Sequence, residues 1–367
     1  MSNQTIKISK ITVSEHNFEE QFKKPDSSTK LCLELMSSKE LLELLPKNNK
    51  KTIRFHIENT NSQLMNAIRR CLEDEIPTLC LTFNLMHDKE GKPADFIIDL
   101  RTNDKNIFGK CDELKKRIEA IPIRQDINLD EWKISIDVKN KTNDLINITA
   151  ADFKINHKGK NVSVDQLMFP NYILTRLYPN CYFQLSNIYI KKGISMINAN
   201  SFKLLSNIYY EIEDTPMNKI GDKYIGKSSL ESDYSKFTLG YSTYRNNLDI
   251  YQPIKMACNI LIDRLQNILD EWKLVEDNTS DKIKVKLDSG AYVITIEDEY
   301  YTIANLLHYY IYKELPSIEF VSGGIKHLDK IGAIIIIKNK NYLTLFENGT
   351  KKAIKDLKYI LSEFEKK

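Results

Sequence analysis

The sequence predicts an α+β fold with two pseudo-symmetric halves on one chain, each a sheet with two helices. Residues 53–77 and 292–316 align without a gap, and each segment reads as a strand followed by a helix. Each half then closes with a longer amphipathic helix. A long strand-rich stretch separates the two helices of the first half and predicts a mostly β inserted domain. These observations together define the fold class.

The repeat consists of pairs of identical residues at matched positions. The pairs are Ile57 and Ile296, Glu58 and Glu297, Asn66 and Asn305, Glu75 and Glu314, and Pro77 and Pro316. Two copies are too few for a solenoid, in which several repeats stack to share a core. They fit an intramolecular version of a two-fold dimer.

Each repeated segment contains two kinds of periodicity. The alternation of Ile53, Phe55 and Ile57 predicts a strand with one buried face. Residues at three- and four-residue spacing then predict motif helices over about 62–76 and 301–315. The residues that define these helix faces are Leu64, Ile68, Cys71, Leu72 and Glu75 in the first half, and Ile303, Leu307, Tyr310, Ile311 and Glu314 in the second. Pro77 and Pro316 end the two helices, because proline lacks the amide donor that a helix needs.

The closing helices are predicted over about Ile254–Trp272 and Lys351–Phe364. Their apolar faces include Leu261 and Leu265 in the first half, and Leu357 and Leu361 in the second. A half with so much apolar helix and so little sheet needs a partner. We therefore expect the motif helices and the closing helices of the two halves to pair and to form one shared core.

The remaining elements set the expected domain limits. A first strand at Ile6–Val13 precedes a lysine-rich excursion with a short helix at Leu41–Leu45. The inserted domain has strand-like stretches at Phe96–Leu100, Trp132–Val138 and Tyr182–Ile190, and the chain returns through Phe202–Ile212 to a polar loop over about 214–250. The expected domains are 1–83 with 203–277, the inserted domain 84–202, and 278–367.

Composition excludes several classes of function. The 53 basic residues are nearly matched by 50 acidic ones, so the chain predicts no nucleic-acid surface of its own. Cys111 and Cys181 are the cysteines of the inserted stretch, and neither belongs to a Cys-x-x-Cys pair, so we expect no metal and no cofactor. Six scattered cysteines, a polar start and the lack of a long apolar run predict a cytoplasmic protein without a membrane segment.

The motif residues resemble a known family. The runs Asn66–Arg70 and Glu75–Thr78 resemble the signature of the alpha-like subunits of multisubunit RNA polymerases, such as bacterial alpha, the archaeal D-like chain and the third subunit of polymerase II. The run Asp298–Leu307 is similar to the motif of the smaller partner, the archaeal L-like chain or the eleventh subunit of polymerase II. Further stretches resemble the same two families: 112–123 and 190–194 for the larger subunit, 320–328 and 332–338 for the smaller one.

The order of these motifs is similar to a fusion of the two subunits found in large cytoplasmic DNA viruses. The resemblance implies a non-catalytic scaffold subunit of a DNA-directed RNA polymerase, without an active site of its own. It implies docking to the second-largest, catalytic subunit and to small zinc-bearing subunits, with the largest subunit in the assembled complex and DNA contacted only indirectly. A viral subunit would be found in cytoplasmic viral factories and in the virion. Because fusion makes pairing intramolecular, we expect a monomer in isolation.

Two sets of polar residues are candidates for contacts. His308 and Tyr309 replace Arg69 and Arg70 in the second half, so the fold does not demand arginine there. We expect this arginine pair to dock a partner, with a solvated helix face as the alternative. The resemblance adds Lys191 and Lys192 to the docking set. Asn66 and Asn305 are expected to form side-chain hydrogen bonds to backbone groups, with direct contact to a partner protein as the alternative.

Two other functions stay open from the sequence. Residues 221–228, GDKYIGKS, match the P-loop pattern for nucleoside triphosphates. However, a P-loop needs a strand directly before it and a helix directly after it, and the flanking sequence predicts neither. The second alternative is a stand-alone adaptor that uses the same dimer-like fold outside any polymerase.

Overall fold

The computed structural model describes residues 6–16, 50–84, 100–125, 127–129, 132–168, 170–194, 204–212, 236–243, 248–275, 277, 279–315, 320–327 and 330–367. Runs of antiparallel strands are separated by helices along these residues, which confirms the predicted α+β class. The proposed helix at Leu41–Leu45, the segment 221–228 and Pro316 lie outside the described residues.

The first sheet begins with two antiparallel strands, β1 (Lys7–His16) and β2 (Lys50–Glu58). Ile53, Phe55 and Ile57 of β2 are fully buried, as their alternation predicts. The turn that follows contains Asn59 with a positive φ of 60°, and its repeat partner Asp298 has a φ of 62°. Asparagine and aspartate tolerate this left-handed conformation better than other residues with side chains, so the same bend recurs in both halves.

The first motif helix consists of an α-helix, α1 (Ser62–Arg70), and one π-helical turn, Cys71–Glu75. Asn61 begins the helix, because its Oδ1 accepts a hydrogen bond from the backbone N–H of Leu64 at 2.8 Å. The helix ends before Pro77, as predicted. The sequence pattern did not predict the π turn, whose wider winding changes the direction of the side chains in the last turn.

The inserted segment, together with the strand β3 that directly precedes it, builds a second sheet with its own apolar core. Its elements are β3 (Thr78–Thr82), β4 (Leu100–Thr102), α2 (Lys105–Phe108), α3 (Cys111–Glu119), β5 (Trp132–Lys139), β6 (Ile146–Thr149), β7 (Phe153–His157), β8 (Lys160–Val162), β9 (Ile173–Leu177) and β10 (Tyr182–Gly193). The strand order is β3-β10-β5-β7-β8, β4 also pairs with β10, and β6 pairs with β9. The two strands predicted in its middle and at its end are confirmed; of the one predicted at Phe96–Leu100, only Leu100 is described.

The chain returns to the first sheet through β11 (Ser206–Ile212), followed by β12 (Lys236–Thr243) and α4 (Gln252–Lys273). The predicted polar loop over about 214–250 is therefore wrong in its second part. Strand β12 lies between β2 and β11 and pairs with both. Its residues Phe237, Leu239 and Tyr241 are fully buried, and serine, threonine and glycine between them made the segment read as polar.

The second half repeats the first, element by element. It contains β13 (Ile283–Asp288), β14 (Ala291–Ile296), α5 (Tyr301–Glu314), β15 (Val321–His327), β16 (Lys330–Ile337) and α6 (Tyr342–Glu365). Its sheet order β13-β14-β16-β15 matches the order β1-β2-β12-β11 of the first half, position by position. Helix α6 begins at Tyr342, well before the predicted start at Lys351.

One apolar core extends through both halves. Helices α4 and α6 run antiparallel, since Trp272 at the end of α4 stacks on Phe346 near the start of α6 at 4.0 Å between ring centroids. Near the end of α6, Phe364 meets Phe55 of the first sheet edge-on at 4.8 Å. The core of each half is thus completed by the other half.

Candidate functional site: the contact between the two halves

The motif helices contribute the apolar centre of this contact. The residues predicted there, Leu64, Ile68, Leu72, Ile303, Leu307 and Ile311, all belong to the shared core and are fully buried or nearly so. Helix α1 packs against α5. Burial of one such side chain stabilises a fold by about 1.5–3 kcal/mol relative to exposure, so this set stabilises the core that the two halves share.

The closing helices extend the contact. Leu261, Leu265 and Leu357 are fully buried in the shared core, while Leu361 is half-buried at its margin. The indole N–H of Trp272 in α4 donates to the backbone carbonyl of Leu343 in α6 at 3.3 Å. This bond satisfies the polar atom of a buried aromatic residue and links α4 to α6.

A charged cluster around Arg264 of α4 joins the two halves. The Arg264 guanidinium makes ion pairs with Glu75, in the π turn of the first half, and with Glu299, which precedes α5 in the second half. Its Nε donates to Glu299 at 3.2 Å. Burial disfavours the charge, but the hydrogen bonds and negative charges of Glu299 and Glu75 outweigh burial and raise the pKa of Arg264. The two carboxylates therefore hold the Arg264 side chain in its charged form.

A second polar contact connects three helices. Asn61, which caps α1, donates from Nδ2 to the hydroxyl oxygen of Tyr310 in α5 at 3.3 Å. The Tyr310 hydroxyl in turn donates to Asp356 of α6 at 2.7 Å. Burial raises the pKa of Asp356, and burial together with the Asp356 charge raises the pKa of Tyr310. This chain of hydrogen bonds fixes α1 of the first half on α5 and α6 of the second.

The other repeated polar residues have different roles in the two halves. Glu75 pairs with Arg264, whereas its repeat partner Glu314 pairs with Lys352 of α6 at 2.9 Å. Pro77 is half-buried, and so are Asn66 and Asn305. For Asn66 the structure shows a side-chain partner in place of the expected backbone bond, because its Oδ1 accepts from Arg69 at 3.1 and 3.2 Å.

The predicted docking residues differ in exposure. Arg69 is half-buried, and its guanidinium also donates to Glu73 at 2.7 Å. Arg70 is exposed at the end of α1. Lys191 and Lys192 are exposed near the end of β10, where they lie opposite Cys80 and Leu79 of β3. Arg70 and the two lysines are therefore the members of the set with charges directed to solvent.

Sequence reasoning found the apolar contact residues and Glu75 but missed several polar residues. Arg264, Glu299, Asn61 and Asp356 were not among the candidates, and Tyr310 was expected only on the apolar helix face, without its hydrogen bonds. One signal for Arg264 was available, since it is a charged residue between Leu261, Leu265 and Ile268 on an otherwise apolar helix face.

Metal binding and membrane insertion are two other roles that side chains can indicate. In the described ranges, no group of three or more histidine, cysteine, aspartate or glutamate side chains is placed to hold a metal ion. Cys111 is buried and Cys181 half-buried. No helix within the described part of the chain is long and apolar enough to cross a membrane.

Comparison with known proteins gives matches along most of the chain. The chain is 27% identical over 356 residues to the "DNA-directed RNA polymerase RPB3-11 homolog" of African swine fever virus (isolate Pig/Kenya/KEN-50/1950), a match that covers 90% of each protein. The homolog of isolate Tick/Malawi/Lil 20-1/1983 is 27% identical over 344 residues, with 87% of this chain and 88% of the relative covered. No family model matches the chain. The resemblance to a fusion of the two alpha-like polymerase subunits, predicted from the motifs, is confirmed.

Proposed function

Since the chain is homologous along nine-tenths of its length to viral fused RNA polymerase subunits, we propose that it is a non-catalytic assembly subunit of a DNA-directed RNA polymerase. Its role is to present one rigid platform on which larger, catalytic chains assemble. The platform consists of a larger-subunit-like domain (1–83 with 203–277) and a smaller-subunit-like domain (278–367), and the inserted domain (84–202) extends it.

The observation that carries this proposal is the shared core of the two halves. Apolar residues of α1, α4, α5 and α6 are buried together, and the Arg264 cluster adds ion pairs from both halves. Such a contact is typical of permanently paired subunits, because it resembles a domain core divided between two partners. The charged side chains of Arg264, Glu75 and Glu299 at this contact are engaged in ion pairs between the two halves.

Docking to partners is proposed through the exposed cations. Arg70, Lys191 and Lys192, together with the half-buried Arg69, form the surface for the second-largest, catalytic subunit. Small zinc-bearing subunits and, in the complete complex, the largest subunit are the other proposed partners. The protein contacts DNA only indirectly, and its proposed location is the cytoplasmic viral factory and the virion.

The test is affinity purification of the tagged chain from cells that make the complete assembly, with mass spectrometry of the copurifying proteins. We expect two very large catalytic subunits in amounts equal to the tagged chain. Recovery of the correctly folded chain alone would contradict the proposal and favour a stand-alone adaptor.

The docking surface is tested by the substitution Arg70→Glu. We expect normal folding by circular dichroism and a clear loss of the second-largest subunit from the purified complex, because the exposed charge is reversed. Lys141→Glu, at an exposed lysine of the inserted segment, is the matched control. Undiminished recovery with Arg70→Glu would show that this helix end is only a solvated face.

A further inference from the structure

A groove of about 620 Å³ lies between α4 and α6, at the end of α4 and the first half of α6. Its apolar lining comes from Leu269 and Trp272 of α4 and from Leu343 and Ile354 of α6. Because α4 belongs to the first half and α6 to the second, the groove exists only when the two halves are paired. Its volume lies within the range of about 300–1,000 Å³ that is common for binding sites.

Four lysines surround this apolar lining. Lys273 extends from α4, and Lys351, Lys355 and Lys358 extend from α6. The three lysines of α6 have helical spacings of four and three residues, so they lie along one side of the helix. All four are exposed.

The lining of the groove carries more positive than negative charge, with four lysines and one glutamate. Glu347 is the acidic residue in its lining, where it pairs with Lys351 at 2.5 Å. Lys273 pairs with Asp270 of its own helix at 2.9 Å. Exposed pairs of this kind contribute little to stability, so an incoming carboxylate can replace them at little cost.

We propose that this groove binds an acidic amphipathic helix of a partner polypeptide. Apolar side chains at one face of such a helix would enter between α4 and α6, and carboxylates on its flanks would meet the lysines. This charge complementarity specifies the chemistry of the occupant. None of the proposed docking residues Arg69, Arg70, Lys191 and Lys192 lines the groove, so it adds a second interface to the proposed function.

The aromatic residue of the groove argues against single-stranded nucleic acid as the occupant. Proteins bind such strands by stacking bases on accessible aromatic rings. Trp272 is only 4% exposed, and its ring already stacks on Phe346. The groove thus offers no free ring face for a base, and its most accessible apolar side chain is that of Leu343.

The experiment measures fluorescence anisotropy of labelled peptides added to the full chain. The probe is a designed helical peptide of about 16 residues, four to five turns, with leucines along one face and glutamates on both sides of them. A second peptide has the same composition with the leucine positions scrambled, and a third has lysine in place of glutamate. We expect binding of the first peptide only, and weaker binding as the salt concentration rises.

Variants of the chain locate the binding site. The double substitution Lys355→Glu with Lys358→Glu is expected to weaken binding about tenfold or more, since two attractive charges become repulsive. Thr344→Trp, at an exposed groove position on α6, is expected to weaken it by filling the groove. The matched control is Lys141→Glu with Lys160→Glu, at exposed lysines of the inserted segment, and it should bind as the native chain does.

Three results would overturn the proposal. Equal binding of the scrambled peptide would show general attraction between opposite charges. Unchanged affinity in the Lys355 and Lys358 variant, with folding verified by circular dichroism, would place the peptide elsewhere. Displacement of the peptide by a single-stranded RNA oligomer, but not by the scrambled peptide, would identify the groove as a nucleic-acid site.

Discussion

Arg264 is the residue at which charged groups from both halves meet. Its guanidinium lies between Glu75 and Glu299, and all three side chains are mostly buried. A buried ion cluster of this kind stabilises a fold only weakly relative to apolar residues, but removal of one member leaves the others uncompensated. The cluster therefore specifies how the halves are aligned more than it adds to their attraction.

We expect Arg264→Met to lower the free energy of unfolding by about 3 kcal/mol, because Glu75 and Glu299 would remain buried without a counter-charge. Urea denaturation followed by circular dichroism measures this change. Lys273→Met is the matched control on the same helix, since its pair with Asp270 is exposed and its loss should change the stability little. Similar losses in both variants would show that the buried cluster has no special importance.

Asp356 makes the stability depend on pH in a predictable direction. Burial raises the pKa of its carboxyl group, so the folded chain binds this proton more tightly than the unfolded chain. The contribution of Asp356 to the free energy of unfolding is fully present below the unfolded pKa of about 3.9. It is lost as the pH rises through the folded pKa. We expect the free energy of unfolding of the native chain, minus that of Asp356→Asn, to decrease over this window.

Urea midpoints of the two chains between about pH 3 and pH 8 measure this difference. Asp270→Asn is the control with the opposite sign, because a hydrogen bond from Lys273 lowers the pKa of Asp270. There the native chain should gain only slightly in stability relative to the variant as the pH rises above the folded pKa, since this ion pair is exposed. A flat difference for Asp356→Asn would show that this carboxyl group is solvated in the folded chain.

At the scale of elements, periodicity in the sequence predicted the helices and strands with continuous apolar faces. It failed at β12, where Thr238, Gly240 and Ser242 alternate with buried apolar residues. The repeat itself contained the missing information. In the second half the strand β16 lies between β15 and α6. The repeat therefore required a strand between β11 and α4 in the first half.

The polar part of the contact between the halves was harder to predict, for a physical reason. Apolar contact residues follow helical spacing, so Leu64, Ile68 and Leu72 could be recognised from a single segment. The contact of Asn61 with Tyr310 depends on the packing of α1 against α5, and no spacing along the chain reports it. The π turn was missed for a similar reason, since its residues have no distinctive pattern.

Helix α6 illustrates how packing can override helix propensity. Its predicted start was too late because Asn348, Gly349 and Thr350 are weak helix formers. Gly349 is required where it lies, since a Cβ there would approach the backbone nitrogen and Cγ1 of Ile311 to 2.9 Å. The absence of a side chain lets α6 approach α5 closely.

We expect Gly349→Ala to lower the free energy of unfolding by about 1–3 kcal/mol, through the steric conflict with α5. In a helix free of such contact the same change would stabilise by about 1 kcal/mol, so the sign of the effect is diagnostic. Asn348→Ala, at the exposed neighbouring position, is the control and should be neutral or slightly stabilising. Thermal and urea unfolding of both variants measure these effects, and a stabilised Gly349→Ala would contradict the close approach.

At the scale of the whole molecule, the two halves use each other as the second layer of their core. Residues from both sheets and from the four helices that pack on them belong to one apolar cluster. In a dimer of separate chains this pairing would depend on concentration. On one chain it is intramolecular and fixes the ratio of the halves at one to one.

We therefore expect the isolated chain to be a monomer, because its pairing surface is already covered by its own second half. Light scattering coupled to size-exclusion chromatography, over about a hundredfold range of concentration, measures the mass against the 42.7 kDa of one chain. A stable mass twice that value would mean that halves exchange between chains or that another surface self-associates.

The connection after the motif helix is where the two otherwise matched halves differ most. In the first half the whole inserted sheet lies between Glu75 and Ser206, whereas in the second only a few residues separate Glu314 from Val321. Because the flanking elements correspond one to one, this short connection occupies the position in the chain at which the first half carries a complete domain. A fluorescent reporter domain inserted into this connection is therefore expected to leave the core shared by the two halves intact.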